Sequence, residues 1–367
     1  MILVNTARFD YTDFMEKVIL KAGELDGFLT DEDKENLMSL ERLYKKAVEL
    51  FPKVQEGNKE AGNSLISLYN EMGIMMEAIC GKNPRIHVYS FDSPHEEHSQ
   101  ASRVIAKLRD ENTQLQEFVY YIQRSYEMLF KLAWVSPETE KNYLFIKTPV
   151  KNPVQNYAVH KIANIDNKLC NSVMCVMLRG ALLPSMIMSK EIEDYSSKKF
   201  LTPFALFKIK RNESKNEDNM EYILDLRKSF FNIDDLNGKD LIFADPMNAT
   251  GGSLVTVIKY LLNSGVKPRS IIFFNVISAL KGALRVVRAL DNCHVYTLWM
   301  DSVLNKSAFI MPGLGDAGDR INGADSESNP RNIIQLLADY GSGIANLYRS
   351  QLREIEKTVL RNEELYV

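Results

Sequence analysis

Short apolar runs alternate with longer stretches of helical periodicity over the second half of the chain. Val173–Leu178, Leu241–Ala244 and Ile271–Val276 are apolar runs of the length of a buried strand. A helical pattern begins near Ala181, and another begins near Ser253. Strands that alternate with helices of this length predict a parallel sheet with right-handed crossovers and helices on both faces, which is an α/β fold.

The N-terminal part of the chain carries a helical pattern. Thr30 and Asp33 are spaced as in a capping box, and Pro52 and Gly57 are expected to break the helix that follows. A second amphipathic helix is expected at about 64–79. Because a long apolar stripe facing solvent is an association site, we expect these helices to pack on the rest of the chain or between copies of it.

The C-terminal part carries a similar pattern. A polar linker at 326–330 precedes residues 333–364, which have the pattern of two helices interrupted near residues 341–343. Three parts are therefore expected: a helical N-terminal region at 1–85, a central α/β domain at 86–325 and a helical C-terminal extension at 326–367.

Composition is that of an ordinary globular protein. The chain has 367 residues, 45% hydrophobic and 25% charged, enough for a sizeable core and about two domains. A net charge of −3 gives no basic character that would indicate nucleic acid or an anionic membrane. No apolar run approaches a membrane span, and residues 1–5 lack the basic start of a signal peptide. We expect a cytoplasmic protein that binds neither nucleic acid nor membrane.

The cysteine and histidine patterns do not indicate a protein-bound metal. Four cysteines stand at irregular intervals without a Cys-x-x-Cys pair, which favours a reduced compartment. His95 and His98 are three residues apart, whereas the zinc-protease pattern requires four. With Ser93 and Pro94 just before them, these histidines predict the polar start of a helix.

The stretch from Asp245 to Ser253, the phosphate loop, joins a buried strand to a helix and contains two glycines. Such a junction directs backbone N–H groups and the positive end of a helix dipole at one point, which suits a phosphate group. Ser253 is expected to cap the helix, and Gly265 is expected to end it. Since Asp245 would repel a bare phosphate, the ligand is expected to carry hydroxyl groups as well, as a ribose phosphate does.

Two better-known phosphate-binding motifs do not fit this stretch. A Walker A loop requires a lysine between its last glycine and the Ser or Thr, but Ser253 follows Gly252 directly. The Gly-x-Gly-x-x-Gly pattern of dinucleotide-binding loops is also absent from it.

A second glycine-rich loop, Phe309–Arg320, contains Gly313, Gly315 and Gly318 together with Asp316. Glycines this dense allow the backbone to approach a flat ligand closely.

These two loops resemble those of the uracil phosphoribosyltransferases, which have the type I phosphoribosyltransferase fold. Residues 245–253 resemble the family's ribose-phosphate loop, and residues 309–320, preceded by Asp301 and Asn305, resemble its uracil-binding loop. The resemblance extends from about residue 86 to about residue 323.

Two arginine motifs add to the resemblance. Arg211-Asn212-Glu213 follows a strand, as the family's Arg-Asn-Glu does, and precedes a polar run that predicts an exposed hairpin. In the family this hairpin is the mobile arm over the active site. Arg179-Gly180-Ala181 stands where the family has Arg-Ala-Gly.

The resemblance implies that this protein uses 5-phosphoribosyl 1-diphosphate as a phosphoribosyl donor. Arg179 and Arg211 would hold its pyrophosphate, Asp245 would accept from the ribose hydroxyls, and Asp316 would also contact the donor. The remaining donor-binding residues would be those of the phosphate loop, Pro246, Met247, Asn248, Ala249, Thr250, Gly251, Gly252 and Ser253.

The acceptor implied by the resemblance is uracil. Backbone groups at Ile310, Gly315 and Ala317, beside Asp316, would complement its O, N–H, O edge. Cytosine reverses part of that edge and would leave buried polar groups unpaired. UMP and pyrophosphate would be the products. Mg²⁺ would be carried mainly by the oxygens of the donor and by water, and a homodimer or higher homo-oligomer is implied.

Two other functions stay open. A nucleotide-binding regulator with this fold but weak catalysis is favoured by the terminal extensions, by Gly180 after Arg179 and by Asn248, where the family has an apolar residue. The other is a phosphoribosyltransferase for a different nucleobase. The charged motif residues argue against the first, and the loop at 309–320 argues against the second.

Overall fold

A nine-stranded sheet forms the centre of the part of the chain that the computed structural model describes, residues 17–135, 139–323 and 335. The strands are, in chain order, β1 Lys17–Lys21, β2 Ile86–Val88, β3 Lys141–Lys147, β4 Tyr157–Ala163, β5 Ser172–Leu178, β6 Phe204–Arg211, β7 Glu221–Phe230, β8 Asp240–Ala244, β9 Met247–Asn248, β10 Ser270–Ala279, β11 Cys293–Asp301, β12 Val303–Leu304 and β13 Ile310–Met311.

Helices fill most of the intervening segments. They are α1 Ala22–Asp26, α2 Asp31–Gln55, α3 Lys59–Gly81, α4 Tyr89–Asp92, α5 His95–Arg109, α6 Leu115–Trp134, α7 Asp166–Leu169, α8 Leu182–Tyr195, α9 Ile233–Leu236, α10 Gly252–Asn263, α11 Leu280–Ala289 and α12 Ala317–Asn322, with one 3₁₀ turn at Glu217–Asn219.

The order of the main sheet is β1-β7-β6-β5-β8-β10-β11-β2, and β9 also pairs with β10. The strands from β6 to β2 in this order run parallel. Strands β7 and β1 extend one edge of the sheet in antiparallel pairing. The predicted α/β fold is therefore confirmed, with an antiparallel edge added to a parallel sheet.

Strands β5, β8 and β10 are buried along almost their whole length, as expected for a sheet covered on both faces. Helices α6 and α8 contact each other and the sheet, as do α10 and α11. The ring of Trp134 on α6 packs edge-on against Phe130 and against Phe274 of β10, with ring centroids 5.0 and 5.2 Å away. The alternating sequence pattern thus corresponds to one continuous core.

This topology brings the predicted site residues to one edge. Arg179 follows β5, Asp245 follows β8 and Asp301 ends β11. Because the carboxyl ends of parallel strands meet at the same edge of a sheet, three separate parts of the chain converge there.

The N-terminal region packs against this core. Its helices α2 and α3 contact each other, α2 also contacts α11 and β12, and Leu37, Leu40 and Tyr44 on α2 are buried. The predicted capping box is confirmed, since the Thr30 hydroxyl accepts from the Asp33 N–H and the Asp33 carboxylate accepts from the Thr30 N–H. That carboxylate also accepts two hydrogen bonds from Arg288 of α11, at 2.9 and 3.0 Å.

Two local predictions differ from the structure. The N-terminal region is not purely helical, because Lys17–Lys21 forms β1; so short an apolar run does not distinguish strand from helix. Pro52 does not end α2, which continues to Gln55; the missing N–H costs one bond near the helix end, and the Pro52 carbonyl still accepts from the Glu56 N–H.

The connection between β6 and β7 is mostly exposed, as the polar sequence predicted, but two of its residues are buried. Glu217 and Met220 are buried, while Ser214, Asn216 and Asp218 are exposed. Glu217 is buried because it pairs with two cations on α11.

The predicted C-terminal linker and helices at 326–364 lie outside the described residues, apart from residue 335. Within residues 17–135 and 139–323, no helix combines the length and the apolar character needed to cross a membrane.

Substitution of Asp33 by alanine should destabilise the protein. It removes the capping bond and leaves Arg288 without its carboxylate partner, so the free energy of unfolding should fall by about 2–4 kcal/mol. Asp31→Ala is the matched control, since Asp31 lies in the same first turn but its side chain is 99% exposed, and it should cost less than about 1 kcal/mol. Thermal and urea unfolding would measure both, and equal losses would contradict the role of Asp33.

Candidate active site

A cleft opens at the carboxyl edge of the sheet. Segments from five parts of the chain form its walls. The lining residues are Met177, Gly180, Arg211, Asp245, Pro246, Met247, Asn248, Ala249, Thr250, Gly251, Ser253, Leu254, Phe273, Ala308, Phe309, Gly315, Asp316, Ala317 and Gly318.

The phosphate loop turns sharply into α10 through glycine. Gly251 has φ +74°, a left-handed conformation that glycine adopts without strain, and it is the N-cap of the helix. Ser253 was expected to be the cap; it lies one residue inside the helix instead, because this turn requires the glycine. The first N–H groups of α10 are therefore without helical partners at the mouth of the cleft.

Close packing from behind holds this loop in place. A Cβ on Gly252 would lie 2.2 Å from the ring of Tyr222, which is fully buried on β7. A Cβ on Gly282 of α11 would lie 2.5 Å from the carbonyl oxygen of Ala249. Since real side chains do not approach so closely, both positions require glycine for the observed backbone path.

Asp245 is the first residue of this loop. Its Oδ1 accepts from the Met247 N–H at 3.1 Å, and its backbone carbonyl accepts from the side chain of Asn275. Burial raises the pKa of Asp245 to about 7, against the Met247 hydrogen bond and the Arg211 charge, which lower it; the Asp316 carboxylate raises it further. A cation brought next to Asp245 would favour its ionised form.

Arg211, at the end of β6, faces the cleft from the opposite wall. Its Nη1 donates to the carbonyl oxygen of Ala308 at 3.2 Å, and its guanidinium lies 5.4 Å from the ring centroid of Phe309. The arginine thus joins the β6–β7 hairpin, the arm, to the start of the glycine-rich loop.

Arg179 lies beside the cleft and is not among its lining residues. Its Nη2 lies 2.5 Å from Oδ1 of Asp319, and its Nη1 donates to the carbonyl oxygen of Gly323. The neighbouring Gly180 does line the cleft, and a Cβ there would lie 3.4 Å from the Cα of Gly318. That distance is ordinary van der Waals contact, so the packing of these two loops does not require glycine at position 180.

Asp301 stabilises the glycine-rich loop by a hydrogen bond to its backbone. This buried carboxylate accepts from the Gly313 N–H at 2.9 Å and from Nη2 of Arg109 at 2.6 Å. Asn305 accepts from the Phe309 N–H, while β12 and β13 pair as a short antiparallel hairpin. The far end of the loop is closed by Asp316, which caps α12 by accepting from the Asp319 N–H.

Helices α5 and α6 support the same loop. Arg320 donates to the carbonyl oxygens of Leu314 and Asp110, at 2.9 and 2.8 Å, and its guanidinium stacks 4.1 Å from the ring centroid of Phe118. The helical segment before the sheet thereby positions a loop 200 residues later in the chain.

Most of the predicted site residues converge in the cleft. The exceptions among the described residues are Arg179, Gly252, which supports the loop from behind, and Ile310, which is 3% exposed and paired in β13. The lining residues that sequence reasoning missed include Met177 and Ala308. Both adjoin predicted motifs, so adjacency along the chain was the only signal for them.

The cleft contains few candidate metal ligands. Asp245 and Asp316 are its carboxylates, and the described residues contain no group of three or more His, Cys, Asp or Glu side chains arranged to hold a metal ion. A metal in the cleft would therefore need most of its ligands from a bound molecule or water.

The sequence of this chain is similar to those of known proteins. The family model described as uracil phosphoribosyltransferase matches residues 95–324. The uracil phosphoribosyltransferase of Campylobacter concisus (strain 13826) is 31% identical over 215 residues, 58% of this chain and 89% of that protein. That of Campylobacter curvus (strain 525.92) is 30% identical over 225 residues, 61% of this chain and 94% of that protein.

Among solved structures, that of the AQ2163 protein from Aquifex aeolicus covers 62% of this chain and 96% of its own, with 20% identity and a TM-score of 0.45. The family match spans well over half of the chain and includes both the phosphate loop and the glycine-rich loop. This chain belongs to the uracil phosphoribosyltransferase family.

Proposed function

We propose that this protein transfers the 5-phosphoribosyl group from 5-phosphoribosyl 1-diphosphate to N1 of uracil, which yields UMP and pyrophosphate. The observation that carries the proposal is the single cleft in which the phosphate loop, Asp245 and Arg211 face the backbone of Gly315 and Ala317. One space therefore contains groups suited to a phosphate, a ribose, a pyrophosphate and a flat base.

The 5′-phosphate would bind at the start of α10. Backbone N–H groups from Ala249 to Ser253 and the helix dipole favour an anion there, and the hydroxyls of Thr250 and Ser253 would add hydrogen bonds. Asp245 would accept from the ribose hydroxyls at the other end of the same loop.

Catalysis would be mainly electrostatic. The ribose gains positive charge at C1 while pyrophosphate leaves with negative charge, so fixed opposite charges on each side stabilise the transition state. Asp245 would lie beside the positive ribose, and Arg211 would hold the leaving pyrophosphate. Arg179 would join it by exchanging Asp319 for pyrophosphate, since its side chain lies next to the cleft and is 17% exposed.

The base would lie against the glycine-rich loop. Gly315 and Ala317 line the cleft, so their backbone groups are available to a ligand edge, and Phe309 offers an aromatic face beside them. The backbone of Ile310 would complete the recognition that the family resemblance implies. Asp316 would contact the donor from the same loop.

Mg²⁺ fits this arrangement as a companion of the donor. Two carboxylates, Asp245 and Asp316, line the cleft, and Mg²⁺ is commonly held by one or two carboxylates together with phosphate oxygens and water. When bound, it would neutralise part of the pyrophosphate charge.

A homo-oligomer is also proposed, with the β3–β4 hairpin as the contact between copies. In the register of this hairpin, Tyr143, Phe145, Tyr157 and Val159 share one face, and they are 63%, 68%, 62% and 54% exposed. An isolated two-stranded hairpin is marginally stable in water, and four exposed apolar side chains on one face, interspersed with Lys147 and Lys161, mark an association site. A second copy would cover it.

Asp245→Asn should lower kcat by about 10²-fold or more, because the charge beside the developing cation is lost. It should also change the pH dependence of stability. Since the folded pKa is raised to about 7 from 3.8, the wild-type protein loses stability as pH rises through this interval, and the asparagine variant does not.

Steady-state kinetics and melting curves at pH 5 and pH 8 would measure both effects. The melting temperature of the variant relative to wild type should be higher at pH 8 than at pH 5. Near wild-type turnover would contradict the ribose role, and a melting difference independent of pH would contradict the raised pKa.

Base selection should follow the backbone of the glycine-rich loop. Turnover should be measurable with uracil and lower with cytosine by a factor of about 10⁴, because backbone donors and acceptors cannot exchange roles. Pyrophosphate release with each nucleobase in turn would measure this. Preference for hypoxanthine or orotate would contradict uracil as substrate, and donor binding without turnover of any base would indicate a nucleotide-binding regulator.

Phe145→Ser combined with Tyr157→Ser should reduce the mass measured by light scattering to that of a smaller oligomer or a monomer. Ile74→Ser is the matched control, since Ile74 is 69% exposed on α3 and should leave the mass unchanged. An unchanged mass for the hairpin variant would exclude this hairpin as the contact.

A further inference from the structure

A cluster of four charges, of which Arg285 and Glu217 are buried and Asp26 and Lys281 are partly exposed, joins the N-terminal region to the rest of the protein. Arg285 of α11 is completely buried; its Nε and Nη2 donate to Oδ1 of Asp26 at 2.9 and 2.6 Å. Its Nη1 lies 2.8 Å from Oε1 of Glu217. Lys281, one turn earlier on α11, lies 2.8 Å from Oε2 of Glu217 and 3.9 Å from Oδ1 of Asp26. This charge cluster thus contains two cations and two anions.

Glu217 is the member of the cluster that belongs to the arm. Its backbone N–H donates to the carbonyl oxygen of Lys306 at 2.7 Å, so the arm tip is also tied to the segment that leads into the glycine-rich loop. Arg211, at the end of β6 in the same arm, donates to the carbonyl oxygen of Ala308. Two hydrogen bonds, to the carbonyl oxygens of Lys306 and Ala308, therefore join the arm to the segment just before the glycine-rich loop.

The N-terminal region holds the outer side of the arm as well. Strand β1 pairs with β7 from Lys17–Asp225 to Lys21–Glu221, and the Ala22 N–H donates to the Met220 carbonyl oxygen. Asp26 then follows at the end of α1. The segment from 17 to 26 is bonded along one strand of the arm and ends in the charge cluster.

Helix α11 connects the cluster to the phosphate loop. Gly282 stands between Lys281 and Arg285 and lies directly behind the carbonyl oxygen of Ala249. A shift of α11 would move the surface on which the phosphate loop rests. The cluster is therefore connected to three walls of the cleft. It contacts the arm through Glu217, the glycine-rich loop through the bond of Glu217 to Lys306, and the phosphate loop through α11.

We infer that Asp26 and Glu217 are positioning residues, which hold the arm against α11 and the glycine-rich loop so that Arg211 faces the cleft. Neither carboxylate lines the cleft, so both act through other groups. The catalytic consequence rests on the proposed function, whereas the restraint on the arm does not. A part of the chain that lies outside the family match at 95–324 would thereby set the geometry of the active site.

The cause lies in the burial of Arg285. A guanidinium removed from water requires carboxylate partners. The two partners of Arg285 come from separate segments, Asp26 from α1 and Glu217 from the arm. Loss of the Asp26 charge leaves Glu217 as the remaining carboxylate beside the buried guanidinium and weakens the contact between α1 and α11, whereas the pairing of β1 with β7 remains. Asn at position 26 preserves the size of the side chain, so the change is mainly in charge.

Asp26→Asn should be compared with Asp33→Asn in the full-length protein. Both substitutions remove an acidic partner of an arginine on α11, but Asp33 contacts Arg288 and does not contact the arm. Asp26→Asn should lower kcat or raise KM for the donor by at least about tenfold, because small misplacements of a charged group are costly. KM for uracil should change little. Asp33→Asn should lower the melting temperature and leave these constants within about twofold.

Hydrogen–deuterium exchange gives a readout independent of activity. Uptake by the peptide 212–220 should increase in Asp26→Asn and in Glu217→Gln, and it should remain at the wild-type level in Asp33→Asn. If the Asp26→Asn variant does not fold, the Glu217→Gln variant serves as the test in its place. Unchanged uptake in the cluster variants, or an activity loss in Asp33→Asn equal to that in Asp26→Asn, would overturn the inference. Failure of the wild type to use any nucleobase would refute the proposed function. Deuterium uptake by the peptide 212–220 would still show whether Asp26 and Glu217 restrain the arm.

Discussion

The close approach between the phosphate loop and the structures behind it is the constraint on which the rest of the site depends. Gly252 rests on the ring of Tyr222, and Ala249 rests on Gly282 of α11. These contacts bring β7, α10 and α11 close together, because neither glycine has a Cβ that would hold them apart. The N–H groups of the loop therefore keep a fixed direction, and an anion bound there pays little for reorganisation.

The same contacts explain why regions far from the cleft affect its shape. Tyr222 belongs to the arm strand that pairs with β1, and Gly282 belongs to the helix that carries the charge cluster. The N-terminal region thus contacts both supports of the loop. Close-packed protein interiors transmit displacement rather than absorb it, so a change at one support reaches the other.

The sequence allowed prediction of the parallel sheet, because buried strands such as β5 and β8 have continuous apolar runs. It also allowed prediction of the two loops, whose residue order along the chain suffices to identify them. It did not allow prediction of partners distant along the chain. The sequence around Arg179 does not indicate Asp319 as a partner, and the sequence around Glu217 does not indicate Arg285. The ion pair between Arg179 and Asp319 and the burial of Glu217 were therefore not predicted.

A related limit applies to local geometry. Ser253 is a reasonable helix cap by residue type, but the turn needs a left-handed residue, and only the backbone conformation of Gly251 reveals this. Likewise β1 has no sequence signal beyond a short apolar run, since its stability comes from the strand that it joins.

The pairing of β1 with β7 has a consequence for synthesis of the chain. Lys17 pairs with Asp225, so the first described strand leaves the ribosome about 200 residues before its partner does. Bringing such distant segments together costs loop-closure entropy, which favours formation of the parallel sheet first and addition of the N-terminal strand afterwards. Until then the apolar face of α2, including Leu37 and Leu40, lacks its final partners. The segment that closes the edge of the sheet is therefore made early and placed late, whereas α2 and α3, which are adjacent in the chain and contact each other, can pair as soon as both are made.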